Sequence, residues 1–182
     1  MKTIDAFNIK YKELNEIINE TINVDSNIVL DNVFGQRYIG CVLPQSVKIK
    51  INGTPGNDMA AYMDGAEIEV FGNAQDAVGN TMNDGKIIIH GNCGDTAGYA
   101  MRGGQIYIEG NVGYRVGIHM KEYKEMKPLI VIGGKAGDFL GEYMAGGTII
   151  LLGLGLNKGE DLTGKYCGTG MHGGKIYLSE KA

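Results

Sequence analysis

Short runs of alternating apolar and polar residues recur along most of this chain, as is typical of β-strands with one buried face. Each run carries two aliphatic residues two positions apart: Ile68 and Val70, Ile87 and Ile89, Ile106 and Ile108, Ile130 and Ile132, Ile149 and Leu151, and Ile176 and Leu178. Because successive side chains of a strand point to opposite faces, both members of a pair are predicted to face one interior. The pattern therefore predicts columns of like residues, stacked strand upon strand.

The runs recur with a fixed period. Successive members of two series lie 19 residues apart: Gly53, Gly72, Gly91 and Gly110, and Met63, Met82, Met101 and Met120. Five residues are inserted after Met120 and a longer stretch after Gly153, so we expect surface loops over residues 121–128 and 154–164. A period of 19 does not fit the hexapeptide repeat of left-handed β-helices. The sequence thus predicts an all-β fold, a single-stranded right-handed parallel β-helix (solenoid) with about 19 residues per coil.

The beginning of the chain follows a different pattern. Residues 8–22 carry aliphatic side chains at the spacing of an amphipathic α-helix, namely Leu14, Ile17, Ile18 and Ile22. A solenoid leaves the apolar interior of its end coil open, and a non-repeating helix is a usual cap for it. We therefore predict an N-terminal capping helix with its lead-in over residues 1–31, where a strand begins at Asn27, and the β-helix domain over residues 32–182.

Composition and charge narrow the class of protein. The chain has 182 residues, 30 glycines and a net charge of −4, and it contains no basic stripe of the kind that neutralises phosphates. No apolar run approaches the roughly 18 residues that span a bilayer, and the N-terminus lacks the apolar core of a secretion signal. We expect a cytoplasmic protein that binds neither nucleic acid nor a membrane.

Few side chains suggest chemistry. Cys41, Cys93 and Cys167 are odd in number and form no C-x-x-C pair, which disfavours a disulfide framework, a zinc site and an iron–sulfur site. Cys93 shares the repeat position of Ala74, so we expect a small core residue. The G-x-G-x-x-G match at residues 168–173 precedes a strand and opens no helix, which argues against a dinucleotide site. We expect no catalytic, cofactor-binding or metal-binding residue on this chain.

Polar residues also share repeat positions. One column consists of Asn57, Asp76, Asp95 and Asp138, and another of Asn73, Asn92 and Asn111. Calcium bound between coils is one interpretation of the first column, but the period is not the nonapeptide of calcium-binding coils. We prefer aspartates that bond the corners of the coils. For the second column we predict stacked side-chain amides that bond along the solenoid.

One outward column is unusually apolar. It consists of Ile88, Tyr107, Val131, Ile150 and Tyr177, and most of its neighbours are polar. Soluble monomers rarely expose a contiguous apolar strip of this length, so it should be covered by the chain's own terminal segments or by another protein. The sequence leaves both alternatives open, and these five residues are the candidate interface.

The recurring Gly-x-x-Gly-x-x-x-Gly phrase resembles the GXGXG domain at the C-terminus of the glutamate synthase large subunit. The phrase stands at residues 91–98 and 134–141 and, with Gln75 in place of the middle glycine, at residues 72–79. A Met-x-Gly-Gly ending stands at residues 144–147, and the resemblance extends over residues 32–179. It implies a right-handed β-helix that braces glutaminase and FMN-binding synthase domains without supplying a catalytic residue. The resemblance also implies that partner subunits bind FMN and iron–sulfur clusters and that this chain binds no cofactor.

The chain differs from that large subunit because it begins at Met1 without a nucleophilic N-terminal cysteine. We therefore expect a detached, non-catalytic assembly subunit of a glutamate-synthase-like enzyme, in glutamate biosynthesis and nitrogen assimilation. A scaffold similar to the solenoid subunit of formylmethanofuran dehydrogenase is the first alternative. A self-standing module that binds a ligand beside loops 121–128 or 154–164, and a homo-oligomeric structural protein, are the others.

Overall fold

Nine parallel strands in chain order form a single sheet in the computed structural model, which describes residues 1–179. The strands are β1 (Lys2–Asp5), β2 (Asn27–Phe34), β3 (Lys48–Thr54), β4 (Asp64–Phe71), β5 (Asp84–Ile89), β6 (Gln105–Ile108), β7 (Leu129–Ile132), β8 (Ala145–Leu151) and β9 (Gly173–Leu178). One helix, α1 (Tyr11–Thr21), separates β1 from β2. Each strand from β2 to β8 pairs with the strand before it and the strand after it, so the predicted β-solenoid is confirmed.

The core consists of the predicted inward columns. Ile68 pairs in register with Ile87, which pairs with Ile106, and the match continues through Ile130 to Ile149. The inward aliphatic residues of β3 to β8 are at most 2% exposed. Since adjacent strands are about 4.8 Å apart, each side chain packs on its counterpart above and below. A single coil could not bury these residues, so the stack itself provides their burial.

The backbone adopts left-handed conformations at the corners of each coil. Only some of the residues in these conformations are glycines. Gly98 has a φ of 69°, as the sequence suggested, but Thr96, two residues earlier, also has a positive φ of 56°. The Thr96 N–H donates to the Tyr114 carbonyl of the next coil at 2.8 Å. This hydrogen bond between coils offsets the strain of a left-handed conformation in a residue with a Cβ.

Helix α1 covers the interior of the first coil, as predicted, although it is shorter than residues 8–22. Leu14 and Ile18 are buried in the core, and the Asn15 side-chain amide donates to the Arg37 carbonyl at 2.8 Å. Within residues 1–179, no helix is long and apolar enough to cross a bilayer. Strand β1 was not predicted, because its four residues contain a single buried aliphatic side chain, Ile4.

The C-terminal end of the stack differs from the prediction. Ile176 and Leu178 continue the inward columns in register, but Ile176 is only half-buried and Leu178 is 46% exposed. Cys167 has the repeat position of the buried Leu140 and is also exposed. The reason is physical: burial in a solenoid comes from the next coil, and the described residues contain no coil after β9.

Candidate interaction surfaces

The outward face of the sheet carries three parallel rows of side chains. The central row runs from β1 to β9 through Thr3, Val29, Lys50, Glu69, Ile88, Tyr107, Val131, Ile150 and Tyr177. The upstream row lies two residues earlier on each strand and consists of Asn27, Lys48, Glu67, Lys86, Gln105, Leu129, Thr148 and Lys175. The downstream row lies two residues later and consists of Asp5, Asp31, Asn52, Phe71, His90, Glu109, Gly133, Leu152 and Ser179.

All five candidate interface residues lie next to one another in the central row. Ile88, Tyr107, Val131 and Ile150 are half-buried by their neighbours in the sheet, and Tyr177 is 52% exposed. Their alignment across five strands follows from the register of the inward columns. Whether another protein covers them stays a prediction.

The apolar strip is wider than the sequence analysis indicated. Leu129 in the upstream row and Leu152 in the downstream row flank Val131 and Ile150 on β7 and β8. Leu129 escaped notice because it stands in a run of four aliphatic residues, residues 129–132, in which inward and outward positions look alike. The run itself could have revealed the wider strip, because consecutive aliphatic residues are typical of a strand buried on both faces.

The same face is charged in the first half of the stack. Lys50 pairs with Glu69 at 3.8 Å, and Lys86 pairs with Glu67 at 3.1 Å. His90 lies 3.0 Å from Glu69 and stacks on Phe71 at 5.0 Å between ring centroids. The hydrogen bond to Glu69 raises the pKa of His90, and a second bond to Glu109 adds to the effect. The outward face thus changes from ion pairs near β4 to apolar residues near β8.

A second exposed surface, which the sequence analysis missed, lies at the corners of the later coils. We call it the corner aromatic surface, and it consists of Tyr99, Arg115, His119, Phe139, Tyr143 and Tyr166. The His119 ring stacks on Tyr143 with centroids 5.4 Å apart, and Phe139 stacks on Tyr166 at 5.0 Å. Tyr143 is 48% exposed and Tyr166 is 61% exposed. Tyrosine is enriched at protein-binding surfaces relative to the rest of a protein's surface.

Arg115 holds the centre of this surface in place. Its guanidinium carbon lies 4.7 Å above the centroid of the Phe139 ring, and its Nε donates to Glu142 Oε2 at 3.0 Å. Glu142 is itself buried, so the ion pair fixes Arg115 against the ring while leaving the guanidinium half-exposed. Arginine and tyrosine are among the residue types most often found at binding hot spots.

Clefts lie beside both predicted loops. The first, of about 690 Å³, lies between the starts of β4 to β6 and loop residues Glu125, Met126 and Lys127. The second, of about 650 Å³, lies beside the longer loop and is lined by Lys135, Asp138, Asp161 and Lys165, among others. Both clefts are open and carry charges of both signs.

The aspartate column bonds successive corners, in agreement with the preferred interpretation. Asp76 Oδ1 accepts the N–H of Asp95 at 2.9 Å, and Asp95 Oδ1 accepts that of Tyr114 at 2.8 Å. The asparagines also bond along the solenoid, but not by amide stacking: Asn73 Oδ1 accepts the backbone N–H of Asn92 at 2.8 Å. Side-chain acceptors thus serve backbone donors of the following coil.

The cysteines and histidines form no common site. Cys93 is buried as predicted, and burial raises its pKa to about 12, while burial raises the pKa of Cys41 to about 11. These thiols are therefore protonated at neutral pH. Across residues 1–179, no cluster of three histidine, cysteine or acidic side chains has the arrangement of a metal site.

The fold defines this protein as a continuous parallel solenoid with glycine-rich corners. Comparisons with known proteins agree with this class. The GXGXG motif family model matches residues 7–182, so the chain belongs to the GXGXG family, whose domain occurs in the glutamate synthase large subunit. The chain is 56% identical to an uncharacterized protein of Methanocaldococcus jannaschii, over 96% of this chain and 69% of that protein. No solved structure matches it significantly.

Proposed function

We propose that this chain is a non-catalytic assembly subunit or domain of a cytoplasmic glutamate-synthase-like oxidoreductase. Membership of the GXGXG family over residues 7–182 carries the proposal. In such an assembly, partner subunits convert glutamine and 2-oxoglutarate to glutamate, and FMN and iron–sulfur clusters reside on those partners. This chain supplies a rigid stack on which a glutaminase subunit and an FMN-binding synthase subunit are held together.

The stack suits a bracing role because its coils are tied to one another along their whole length. Sheet pairing joins β1 to β9, and side-chain acceptors such as Asp95 add hydrogen bonds between corners. A solenoid built in this way has an extended surface and little freedom to bend. The corner aromatic surface is then the docking surface for the partner enzymes, since its exposed rings lie on the outside of the coils.

Affinity capture with the tagged full chain from its native extract tests the proposal. We expect a glutaminase chain and a flavin-containing synthase chain to be recovered together. Tyr143→Asp should abolish their capture, because a carboxylate replaces a ring at the centre of the docking surface. Tyr62→Asp is the matched control, since Tyr62 is also exposed at a corner with a positive φ but lies outside the corner aromatic surface.

Reconstitution gives the decisive result. Glutamate formation by the captured partners should require this chain, while the purified chain alone should leave glutamine unchanged. Hydrolysis of glutamine by the purified chain would refute the non-catalytic role. Recovery of a formylmethanofuran-dehydrogenase-like enzyme in place of the flavoprotein would favour the alternative scaffold, which resembles the solenoid subunit of that enzyme.

The two loop clefts favour a second candidate, a self-standing binding module. The cleft beside residues 121–128 is about 690 Å³, within the range of small-ligand sites. Its lining is charged and open to solvent, unlike the mostly apolar lining of typical ligand pockets. Lys127→Ala with Glu125→Ala removes loop charges from this cleft. Unchanged partner capture by that double variant supports the assembly role over the binding module.

A further inference from the structure

The two ends of the solenoid are covered differently. At the N-terminal end, helix α1 closes the interior, and its Leu14 and Ile18 are at most 1% exposed. At the C-terminal end, Leu178 is 46% exposed, although Leu151, its counterpart one coil earlier, is fully buried. Cys167 on the same last coil is also exposed. The last described coil therefore presents interior positions to solvent, which solenoids normally avoid with a capping segment.

Strand β9 also ends the sheet with unpaired backbone groups. The Ser179 N–H donates to a carbonyl of β8 at 3.0 Å, so it points towards the rest of the sheet. Backbone groups of successive residues alternate between the two edges of a strand, so those of Ile176 and Leu178 point to the open edge. Charged residues and prolines usually protect such an edge, but β9 carries only Lys175 and contains no proline.

We propose that a second copy of this chain covers this end, with the β9 strands of the two copies paired antiparallel. A two-fold axis perpendicular to the sheet, between the two copies of Ile176, produces this arrangement. It keeps the inward faces of both copies on the same side, so the sheet and the apolar interior continue from one copy into the other. Ile176 then exchanges backbone hydrogen bonds with the partner's Ile176, and Leu178 with the partner's Gly174.

The end of the stack is complementary to itself in this register. Ile176 is the middle residue of the segment from Gly173 to Ser179, so the two segments overlap along their whole length. On the outward face, Lys175 lies opposite the partner's Tyr177, so a cation meets an aromatic ring and no lysine meets a lysine. On the inward face, the two copies of Ile176 meet each other. A register centred on Tyr177 would shorten the overlap.

The closed N-terminal end limits the assembly to two copies. Helix α1 lies over the interior there, so β9 of one copy cannot continue into β1 of the next without displacing the helix. Strand β1 is also shorter than β9, and its four residues include two charged ones, Lys2 and Asp5. The contact between two C-terminal ends uses the same surface on both copies and closes at a dimer.

The size of the end is sufficient when the backbone hydrogen bonds are included. A coil of about 19 residues at about 3.3 Å each, with side chains reaching about 5 Å outward, has an end on the order of 500 Å². Two ends together bury about 1,000 Å², which is small for a specific interface. Main-chain hydrogen bonds provide additional affinity wherever a strand is added to a sheet edge. The interface thus depends on the pairing of β9 as well as on apolar burial.

Mixed cysteine variants of the full chain test the register. Residues 175 and 177 of different copies form a non-hydrogen-bonded pair with Cα atoms about 4.5 Å apart, a distance that a disulfide can span. Lys175→Cys and Tyr177→Cys chains, each also carrying Cys167→Ser, should therefore give a disulfide-linked heterodimer when mixed and oxidised. Each variant alone should stay unlinked, because the two copies of either residue lie about 7–8 Å apart. A link within one variant alone, or no link in the mixture, overturns the proposal.

Proline substitution tests the open edge, with the mass of the full chain in solution as the readout. We expect a dimer for the wild type. Ile176→Pro removes an N–H that faces the open edge, so the chain should fold while the Kd of the dimer rises about tenfold or more. Thr3→Pro is the matched control at the other end of the stack. The Ala6 N–H bonds to β2, so the Thr3 N–H faces the open edge of β1, and its loss should leave the Kd unchanged.

The Cys167 thiol reports whether the end is covered. Its modification by a thiol reagent should be fast in dilute wild-type chain and slower at concentrations above the Kd of the dimer. A dimer in which Cys167 reacts as fast as in the monomer overturns the proposal, because its copies would then meet through another surface. So does a wild-type chain that stays monomeric at its solubility limit. These results do not depend on which enzymes the chain binds.

Discussion

His90 Nε2 lies 3.0 Å from Oε1 of Glu69, a residue of the preceding strand, and this contact is half of a bridge across three coils. On the other side of the ring, Nδ1 lies 3.4 Å from Glu109 Oε2. Only the doubly protonated imidazolium donates from both nitrogens. Lys50, 3.8 Å from Glu69, is the other cation in contact with this group. The bridge therefore favours the charged form and raises the pKa of His90.

We expect His90 to stabilise the fold at mildly acidic pH and not at alkaline pH. Because its pKa is higher in the folded chain, the contribution is fully present below the unfolded value of about 6.5 and is lost as pH rises through the folded value. The Tm difference between wild type and His90→Gln should thus shrink as pH rises. Proton NMR of the ring measures the pKa directly, and Glu69→Gln should lower it. An unaltered His90 pKa in that variant would contradict the bridge.

The inward and outward columns predict unequal effects of truncation. Ile108→Ala should lower the free energy of unfolding by roughly 2–5 kcal/mol, because it leaves a cavity in a central coil. Ile108 is only 2% exposed, whereas Ile88 is half-buried on the outward face. Ile88→Ala should therefore have a much smaller effect, measured by urea unfolding of the chain under monomeric conditions. Equal losses would show that the two faces are wrongly assigned.

The corner aspartates predict a stability effect that depends on an acceptor atom. Asp95→Ala removes the acceptor of the Tyr114 N–H and should lower the free energy of unfolding by about 1 kcal/mol. Asp95→Asn keeps an oxygen at that place and should lose less. Thermal melts with and without a chelator separate this role from calcium binding. We expect no change in Tm on chelation, and a drop would restore the calcium interpretation.

The three cysteines should differ in reactivity. Cys167 is exposed on the last described coil, whereas Cys93 is buried. Burial raises the pKa of all three thiols, to about 12 for Cys93 and to about 11 for Cys41. Since the thiolate is the reactive form, a thiol reagent near pH 8 should modify Cys167 first. Cys167→Ser should remove the fast phase, and Cys93→Ser should retain it. A fast phase that survives Cys167→Ser would contradict this order, because Cys41 or Cys93 would then be the accessible thiol. A wild-type chain without a fast phase would mean that Cys167 is covered.

The sequence by itself determined the coil. The 19-residue period and the pairs such as Ile87 and Ile89 were sufficient, because a side chain of a solenoid packs mainly on its equivalent one period away. Inward positions are therefore set by local alternation and repetition. The same logic identified Cys93 as a core residue and predicted the corner bonds of Asp95. It also indicated the capping role of α1, since an amphipathic helix without a repeat must bury its apolar side elsewhere.

Only the tertiary structure decided how the surfaces are composed. Phe139 and Tyr166 stack although an irregular interval separates them, because the intervening loop lies outside the coil. Leu178 repeats the pattern of Leu151 and yet is exposed, because no described coil follows it. The change of the outward face from ion pairs near β4 to apolar residues near β8 emerges only when the strands are set in register. Local sequence fixes which way a side chain points, but what it meets there depends on coils far away in the chain.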